Sequence, residues 1–223
     1  PFLEDVTNSK KRLLVFSKKD LTDDNKINMF EKYYQDKNYD TILANLNDKK
    51  DILEIIKKVQ FLGKDRQEKY LKRMIIGIPN VGKSTLINKL TRKNAASVQN
   101  TPGHTRAQQW VRINENFELL DTPGILPPHY EDKTYSLHLA LIGSIKENIL
   151  PIEDLYDYLI EFLLKEYPSS LNKRYGVDET LSIHEITNEI AKRRGLLLKG
   201  NEYDEEKTKK LVLKEFKEGI ITP

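Results

Sequence analysis

Gly77-Ile78-Pro79-Asn80-Val81-Gly82-Lys83-Ser84 is the stretch that decides how this chain is read. It fits the pattern G-x-x-x-x-G-K-S/T. Gly77 and Gly82 let the backbone curl so that successive N–H groups point into one cavity, where a phosphate chain fits. A helix opening at Lys83 aims its positive end at the same place. The Lys83 ammonium reaches β- and γ-phosphate oxygens, and the Ser84 hydroxyl suits Mg²⁺. Asn80, Val81, Gly82 and Thr85 complete the expected nucleotide contacts. The apolar run Met74-Ile75-Ile76 precedes the loop and a helical pattern to Leu90 follows it. This strand–loop–helix context is the one the motif requires, and it predicts a nucleoside triphosphate site.

Two further motifs extend the site in opposite directions. Downstream, Asp121-Thr122-Pro123-Gly124 follows the strand pattern Phe117-Glu118-Leu119-Leu120. A carboxylate there can hold Mg²⁺ through water, and the Gly124 N–H can meet the γ-phosphate. Between the two motifs, the hydroxyl of Thr105 is a second candidate Mg²⁺ ligand. Upstream, Ser17-Lys18-Lys19-Asp20 closes an apolar run and fits the pattern N/T-K-x-D except at Ser17, a hydroxyl of shorter reach. The Asp20 carboxylate can accept from the ring N–H and the exocyclic amine of guanine, a donor pair that adenine lacks. Lys18 would lay its stem across the base.

Outward from these motifs, the spacing predicts strands at 12–17, 41–44, 74–77, 109–113 and 117–120, with helices at 25–38, 52–59 and 83–90. Alternation of this kind implies an α/β domain with a largely parallel sheet. Trp110 and the apolar stripes of the helices are expected in the core. From Asp132 the pattern is helical throughout. Ser182 and Glu185 have capping-box spacing, Gly195 stops that helix, and Asp204 caps another. The expected division is an α/β domain over residues 1–144 and a smaller all-α domain over 145–223. Charge follows it: residues 1–144 carry 24 Lys and Arg against 18 Asp and Glu, and residues 145–223 carry 13 against 16.

Composition narrows the class further. The 223 residues are 38% hydrophobic and 32% charged, which supplies a core and excludes a disordered or collagen-like chain. No stretch approaches the ~18 apolar residues of a membrane span. With no cysteine, disulfides, thiolate zinc sites and thiol nucleophiles are excluded. The net charge of +3 is too small to signal nucleic-acid binding by itself, so any basic patch is local.

The motif order is the distinctive feature. The base-reading tetrapeptide comes before the phosphate loop and D-x-x-G after it, a circular permutation of the Ras-like order. In this the sequence resembles the circularly permuted GTPases of ribosome assembly, above all bacterial ribosome biogenesis GTPase A and its mitochondrial relatives. The resemblance rests on residues 77–90 (GIPNVGKSTLINKL), 102–106, 108–110, 121–126 (DTPGIL), 143–146 (GSIK) and 193–197. It implies a P-loop GTPase domain followed by a helical domain that grips ribosomal RNA. It also implies GTP hydrolysis during late assembly of the large ribosomal subunit, with the subunit precursor as partner. The family has an earlier segment with a D-A-R-x-P motif, a sheet strand and a histidine that helps position water, and this part is expected to be missing ahead of Pro1. The family's adenine/guanine loop is faint at Leu43-Ala44-Asn45-Leu46.

Several residue roles follow from the resemblance. The glutamine position after D-x-x-G is Ile125, which cannot orient water. No catalytic residue is assigned, and His104 and His129 are weak local candidates. Asn80 resembles the asparagine that coordinates K⁺ in potassium-activated GTPases. Lys192, Arg193 and Arg194 are the candidate RNA contacts. Hydrolysis is expected to be slow until the ribosome orders the switch loops. The rival reading is a nucleotide-gated RNA-binding module with negligible hydrolysis. The expected location is the cytoplasm, or else the mitochondrial matrix or another organelle.

Overall fold

The computed structural model describes residues 10–63, 71–91, 108–115, 117–126, 132–146 and 149–221. The chain divides into two compact units, one of Pro1–Gly77 with Val81–Gly124, the other of Ile78–Asn80 with Ile125–Pro223. The division falls earlier in the chain than residue 144. The three residues Ile78–Asn80, from the middle of the glycine loop, belong to the second unit.

The first unit begins with strand β1 (Leu13–Ser17), helix α1 (Asp24–Gln35), strand β2 (Asp40–Ala44) and helix α2 (Lys49–Leu62). Asp23 caps α1 by accepting from the N–H groups of Asn25 and Lys26, and Asp48 caps α2 by accepting from Lys50. Such caps satisfy amide donors that the first turn leaves open. Strands β1 and β2 pair in parallel, as a helical crossover requires. Strand β3 (Leu71–Ile75) leads through the glycine loop into helix α3 (Lys83–Thr91), followed by β4 (Gln109–Asn114) and β5 (Phe117–Asp121). These three strands form a second sheet in the order β3-β5-β4.

Strand β3 runs parallel to β5, but β4 runs antiparallel to it. The expectation of a largely parallel sheet is met in two ladders and not in the third. Asn114 and Phe117 are too close in sequence for a crossover, so the chain must fold back on itself. One apolar core serves both sheets, with Ile42 and Ala44 of β2, Ile52 and Ile55 of α2, Leu86 and Leu90 of α3, and Phe117 and Leu119 of β5. Each such fully buried Leu, Ile or Phe side chain contributes roughly 1.5–3 kcal/mol.

Trp110 is not part of that core. Val111 and Ile113 pack against it, and the alternation of β4 puts Trp110 on the other face. There it is 52% exposed, with the Lys72 ammonium 5.3 Å from its ring centroid. Helix α1 likewise buries none of its residues, and its Phe30 and Tyr33 are half exposed.

The second unit is helical: α4 (Lys133–Leu141), α5 (Ile152–Glu166), α6 (Ser170–Tyr175), α7 (Ile183–Arg194) and α8 (Glu205–Lys217). The expected punctuation is present. Ser182 and Glu185 form a reciprocal capping box, Gly195 ends α7 at φ 66°, and Asp204 caps α8. The α5 stripe Leu155, Tyr156, Leu159, Ile160 and Leu163 forms the centre of the core. The buried Tyr156 hydroxyl bonds Thr187 of α7 at 2.9 Å, and burial pushes its pKa up to about 12. Glu215 of α8 accepts from Arg174 at both oxygens and from Tyr175, tying α6 to α8. The Arg174 bond is the main reason its carboxyl stays below the usual range.

Candidate functional site

The phosphate loop is shaped by close contacts at its glycines, closest at Gly82. Gly82 has φ +95°, and a Cβ there would lie 2.8 Å from Leu46 Cδ1. A residue other than glycine would therefore be strained in its backbone and in collision with the core. At Gly77 a Cβ would come within 3.1 Å of Val81 Cγ2. Lys83 is only 9% exposed, and its Nζ donates to the Gly77 carbonyl at 2.9 Å. Burial lowers its pKa, and the charge of Asp121 opposes that shift. A buried ammonium partly desolvated in this way gains from an incoming polyanion. Ser84 and Thr85 occupy the first turn of α3, where amide N–H groups have no helical acceptor.

Asp121 closes β5 opposite Ile75 of β3 and is 3% exposed. The next residue, Thr122, donates through its hydroxyl to the Ile75 carbonyl at 2.7 Å. That bond fixes the exit of β5 beside the entrance to the phosphate loop. A hydroxyl at Ser84 and a buried carboxylate at Asp121 are hard oxygen donors of the kind Mg²⁺ takes. Mg²⁺ completes its sphere with phosphate oxygens and water and needs no dedicated protein cage. When bound, it neutralises charge on the phosphates. Gly124 ends the first unit, and Ile125 beyond it is 50% exposed. Thr105, His104 and His129 lie outside the described residues.

The permuted base-reading motif is joined to this loop by a direct bond. Ser17 Oγ donates to the Val81 carbonyl at 2.6 Å. The residue at which the motif departs from N/T-K-x-D is thus a tie between two motifs that lie far apart in sequence. Lys18 takes a left-handed backbone, φ 59°. Asp20 is exposed within the short 3-10 turn Lys19–Leu21. Lys19 forms an ion pair with Asp51 of α2 at 2.8 Å, and Asp51 also accepts from the Asn45 amide at 2.7 Å. Asp51 therefore joins the base-reading turn to the segment after β2, whose Leu46 meets Gly82.

Asp51 was not legible as a site residue, because in sequence it is one acidic residue in the first turn of a capped helix. The faint adenine/guanine loop gains definition in the same way, since Asn45 and Leu46 occupy the junction that Asp51 and Gly82 define.

In the second unit, Asn80 adopts φ 61° and donates through Nδ2 to the Gly143 carbonyl at 2.6 Å. Ser144 Oγ donates to the Pro79 carbonyl at 2.8 Å. Lys192, Arg193 and Arg194 form the exposed last turn of α7. Their charge is partly offset, because Glu189 lies 3.8 Å from Lys192 and 3.5 Å from Arg193. Arg194 sits over the Tyr175 ring at 5.2 Å. An open cavity of about 470 Å³ beside Arg193 contains no phosphate-loop residue and sets Asp178, Glu179 and Glu189 against one guanidinium. That is a poor anion receptor.

A phosphate loop followed by a D-x-x-G strand end, with a base-reading turn bonded back to the loop from an earlier strand, defines a P-loop GTPase with permuted motif order. Comparison with known proteins agrees. Residues 72–194 match the family model described as 50S ribosome-binding GTPase, and residues 4–130 match RsgA GTPase. Ribosome biogenesis GTPase A of Bacillus cereus is 39% identical, over 99% of this chain and 78% of its own length. The protein of the same name from Thermotoga maritima is 31% identical, over 94% and 73%. A solved structure of GNP-bound YlqF from T. maritima is 26% identical, with a TM-score of 0.63 over 93% of this chain and 77% of that one. The GDP-bound YlqF structure shares the fold, with a TM-score of 0.68 at 24% identity and coverage of 93% and 78%. The chain belongs to the ribosome biogenesis GTPase A family and is a GTP-hydrolysing enzyme.

The Lys19 bond holds the Asp51 carboxyl below the usual range, against the opposing effect of burial. A depressed carboxyl contributes stability above its unfolded pKa of about 3.9, and that contribution is lost as pH falls through the lower folded value. Since Lys19 is 40% exposed, solvent screens the pair and holds it to about 1 kcal/mol or less. Asp51→Asn should lose this acid-limb component in urea titrations below about pH 4. It should also weaken guanine nucleotide binding at neutral pH by loosening the turn at Lys19. Identical pH profiles for the two proteins would remove Asp51 from this role.

Proposed function

We propose that this GTPase acts in late assembly of the large ribosomal subunit, with its nucleotide state controlling docking on the precursor particle. The observation that carries this reading is the bond between Ser17 and Val81, which ties the proposed base-reading motif to the phosphate loop despite the permuted order. The family match to a 50S ribosome-binding GTPase supports the choice of particle. In this reading Lys83 holds the β- and γ-phosphates, and the amides of 80–85 line the phosphate chain. Ser84 ligates Mg²⁺ directly and Asp121 does so through water. The Gly124 N–H senses the γ-phosphate. Thr105 is the proposed second hydroxyl on the metal. The half-exposed Ile125 supplies no polar group for water, so the water-orienting group comes from elsewhere, and binding to the particle speeds hydrolysis. The place of action is the bacterial cytoplasm or the equivalent compartment of an organelle.

Base selection rests on Asp20, with the Lys18 stem across the ring. Replacing Asp20 by Asn keeps one carbonyl acceptor but removes the charge and sets an NH2 group against the second guanine donor. Affinity for GDP should fall by about two orders of magnitude, in line with the loss of charge-assisted hydrogen bonds, while ADP binding stays negligible. Titration with fluorescent guanine and adenine nucleotides measures both, and unchanged GDP affinity would place the base elsewhere.

Asn80 is the proposed K⁺ ligand. A monovalent cation beside the phosphates adds positive charge where an arginine finger would. The expected result is faster hydrolysis in KCl than in NaCl at equal ionic strength. Equal rates in the two salts would dispose of the cation.

In the helical unit, Lys192, Arg193 and Arg194 are proposed to position on ribosomal RNA phosphates. Gly124 ends the first unit and Ile125 begins the longer segment of this one, and loss of the γ-phosphate is proposed to change its grip. Co-sedimentation with separated ribosomal subunits, in the presence of a non-hydrolysable GTP analogue or GDP, tests the whole reading. Binding to the large subunit should be favoured by the analogue. Equal binding in both nucleotide states would count against nucleotide control, and binding to neither subunit would count against the assembly role.

A further inference from the structure

The Gly143-Ser144 turn has a defined place in the fold and, so far, no role in the reaction. It caps the C-terminal end of α4: the Gly143 amide donates to Ala140, and the Ser144 amide to Leu139. Gly143 is left-handed, φ +73°, as such a cap needs. Ser144 and Ile145 are 1% and 5% exposed, so the turn is anchored in the helical core. Its two outward polar groups both go to the crest of the glycine loop: Ser144 Oγ donates to the Pro79 carbonyl, and the Gly143 carbonyl accepts from Asn80 Nδ2. Ile78, in the same three-residue stretch, packs against the helical core as well.

The consequence follows from peptide geometry. Pro79 O and the Asn80 N–H belong to one trans planar unit and point in opposite directions. A donor fixed on that carbonyl therefore fixes where the Asn80 amide points. Asn80 itself holds a left-handed backbone, which costs a non-glycine residue energy and persists only where its surroundings impose it. The side-chain bond to Gly143 supplies part of that restraint. Val81 O is held in the same manner by Ser17, which fixes the Gly82 amide. Alternate carbonyls of the loop thus accept side-chain hydroxyls, and the intervening amides are turned away from those hydroxyls.

We propose that Ser144 is a positioning residue for GTP hydrolysis. Through the Pro79 carbonyl it sets the 79–80 peptide plane, so that the Asn80 amide faces the phosphates, and the Gly143 carbonyl sets the Asn80 side chain beside it. Without the hydroxyl the peptide loses one of its restraints, and the amide is held less firmly towards the phosphate chain when charge develops in the transition state. Binding in the ground state draws on the other loop amides and on Lys83 and changes little. The inference rests on residues 77–84 holding the phosphates.

The test compares the full chain with Ser144→Ala and with Ser144→Cys, which keeps the side-chain volume and donates only weakly. Single-turnover hydrolysis at saturating Mg·GTP, the dissociation constant for a fluorescent GDP analogue, and the melting temperature are measured for each. The hydrolysis rate should fall about threefold to tenfold in both variants, the range of one lost hydrogen bond. Analogue affinity should stay within about twofold, since the lost contact acts mainly in the transition state. Unchanged rates would overturn the proposal. So would rate and affinity that fall in proportion to melting temperature, since that is the signature of a purely structural serine. If the unaltered protein failed to bind the analogue, the phosphate-loop reading itself would fall.

Discussion

The constraint on which the rest of the structure depends is the backbone of residues 77–84. A loop that offers its amides to phosphate must turn its carbonyls elsewhere, and buried carbonyls need donors. Lys83 serves Gly77, Ser144 serves Pro79 and Ser17 serves Val81. Each donor comes from a different part of the chain. Gly82 can sit against Leu46 only because it lacks a Cβ and accepts φ +95°. Changes far away in sequence, at Ser17, Leu46 or Ser144, therefore act on one loop.

This arrangement explains how the permuted order is compatible with a GTPase site. The site requires only that the base-reading turn, the phosphate loop and the D-x-x-G strand end lie together, whatever their order along the chain. Parallel β1–β2 and β3–β5 pairing puts the exits of their strands at matching ends, and ligands in α/β folds bind at the carboxyl ends of strands. The hydroxyls of Ser17 and Thr122 then fasten those exits, one to the loop and one to the strand that feeds it. Helix α2 adds the Asp51 bridge between the base-reading turn and the Asn45 segment.

Three residues of the glycine loop, Ile78–Asn80, belong to the helical unit, and both Ile78 and Leu126 pack against its core. A motif picked out only by resemblance, Gly143-Ser144-Ile145-Lys146, acquires a physical purpose there. Its glycine caps α4 and its serine and isoleucine are buried, leaving a carbonyl and a hydroxyl for the loop.

The sequence by itself determined the local features whose causes are local. Apolar periodicity marked the strands and helices, Ser182 and Asp204 marked helix starts, and Gly77 to Ser84, between a strand and a helix pattern, predicted a phosphate site. Motif order was also visible, since it is a property of the chain. Only the tertiary structure decided which face each strand buries, where the chain divides and what completes the loop. Alternation in β4 was plain, but Trp110 faces outward because Val111 and Ile113 reach the core first. The antiparallel β4 follows from the short link to β5. Asp51 carries no signature in sequence, and Ser144 was marked only by the resemblance of the 143–146 motif, with no physical reason attached. Asp51 acts through an ion pair with Lys19 and a bond from the Asn45 amide, and Ser144 through a bond to the Pro79 carbonyl; such contacts impose no pattern on neighbouring residues.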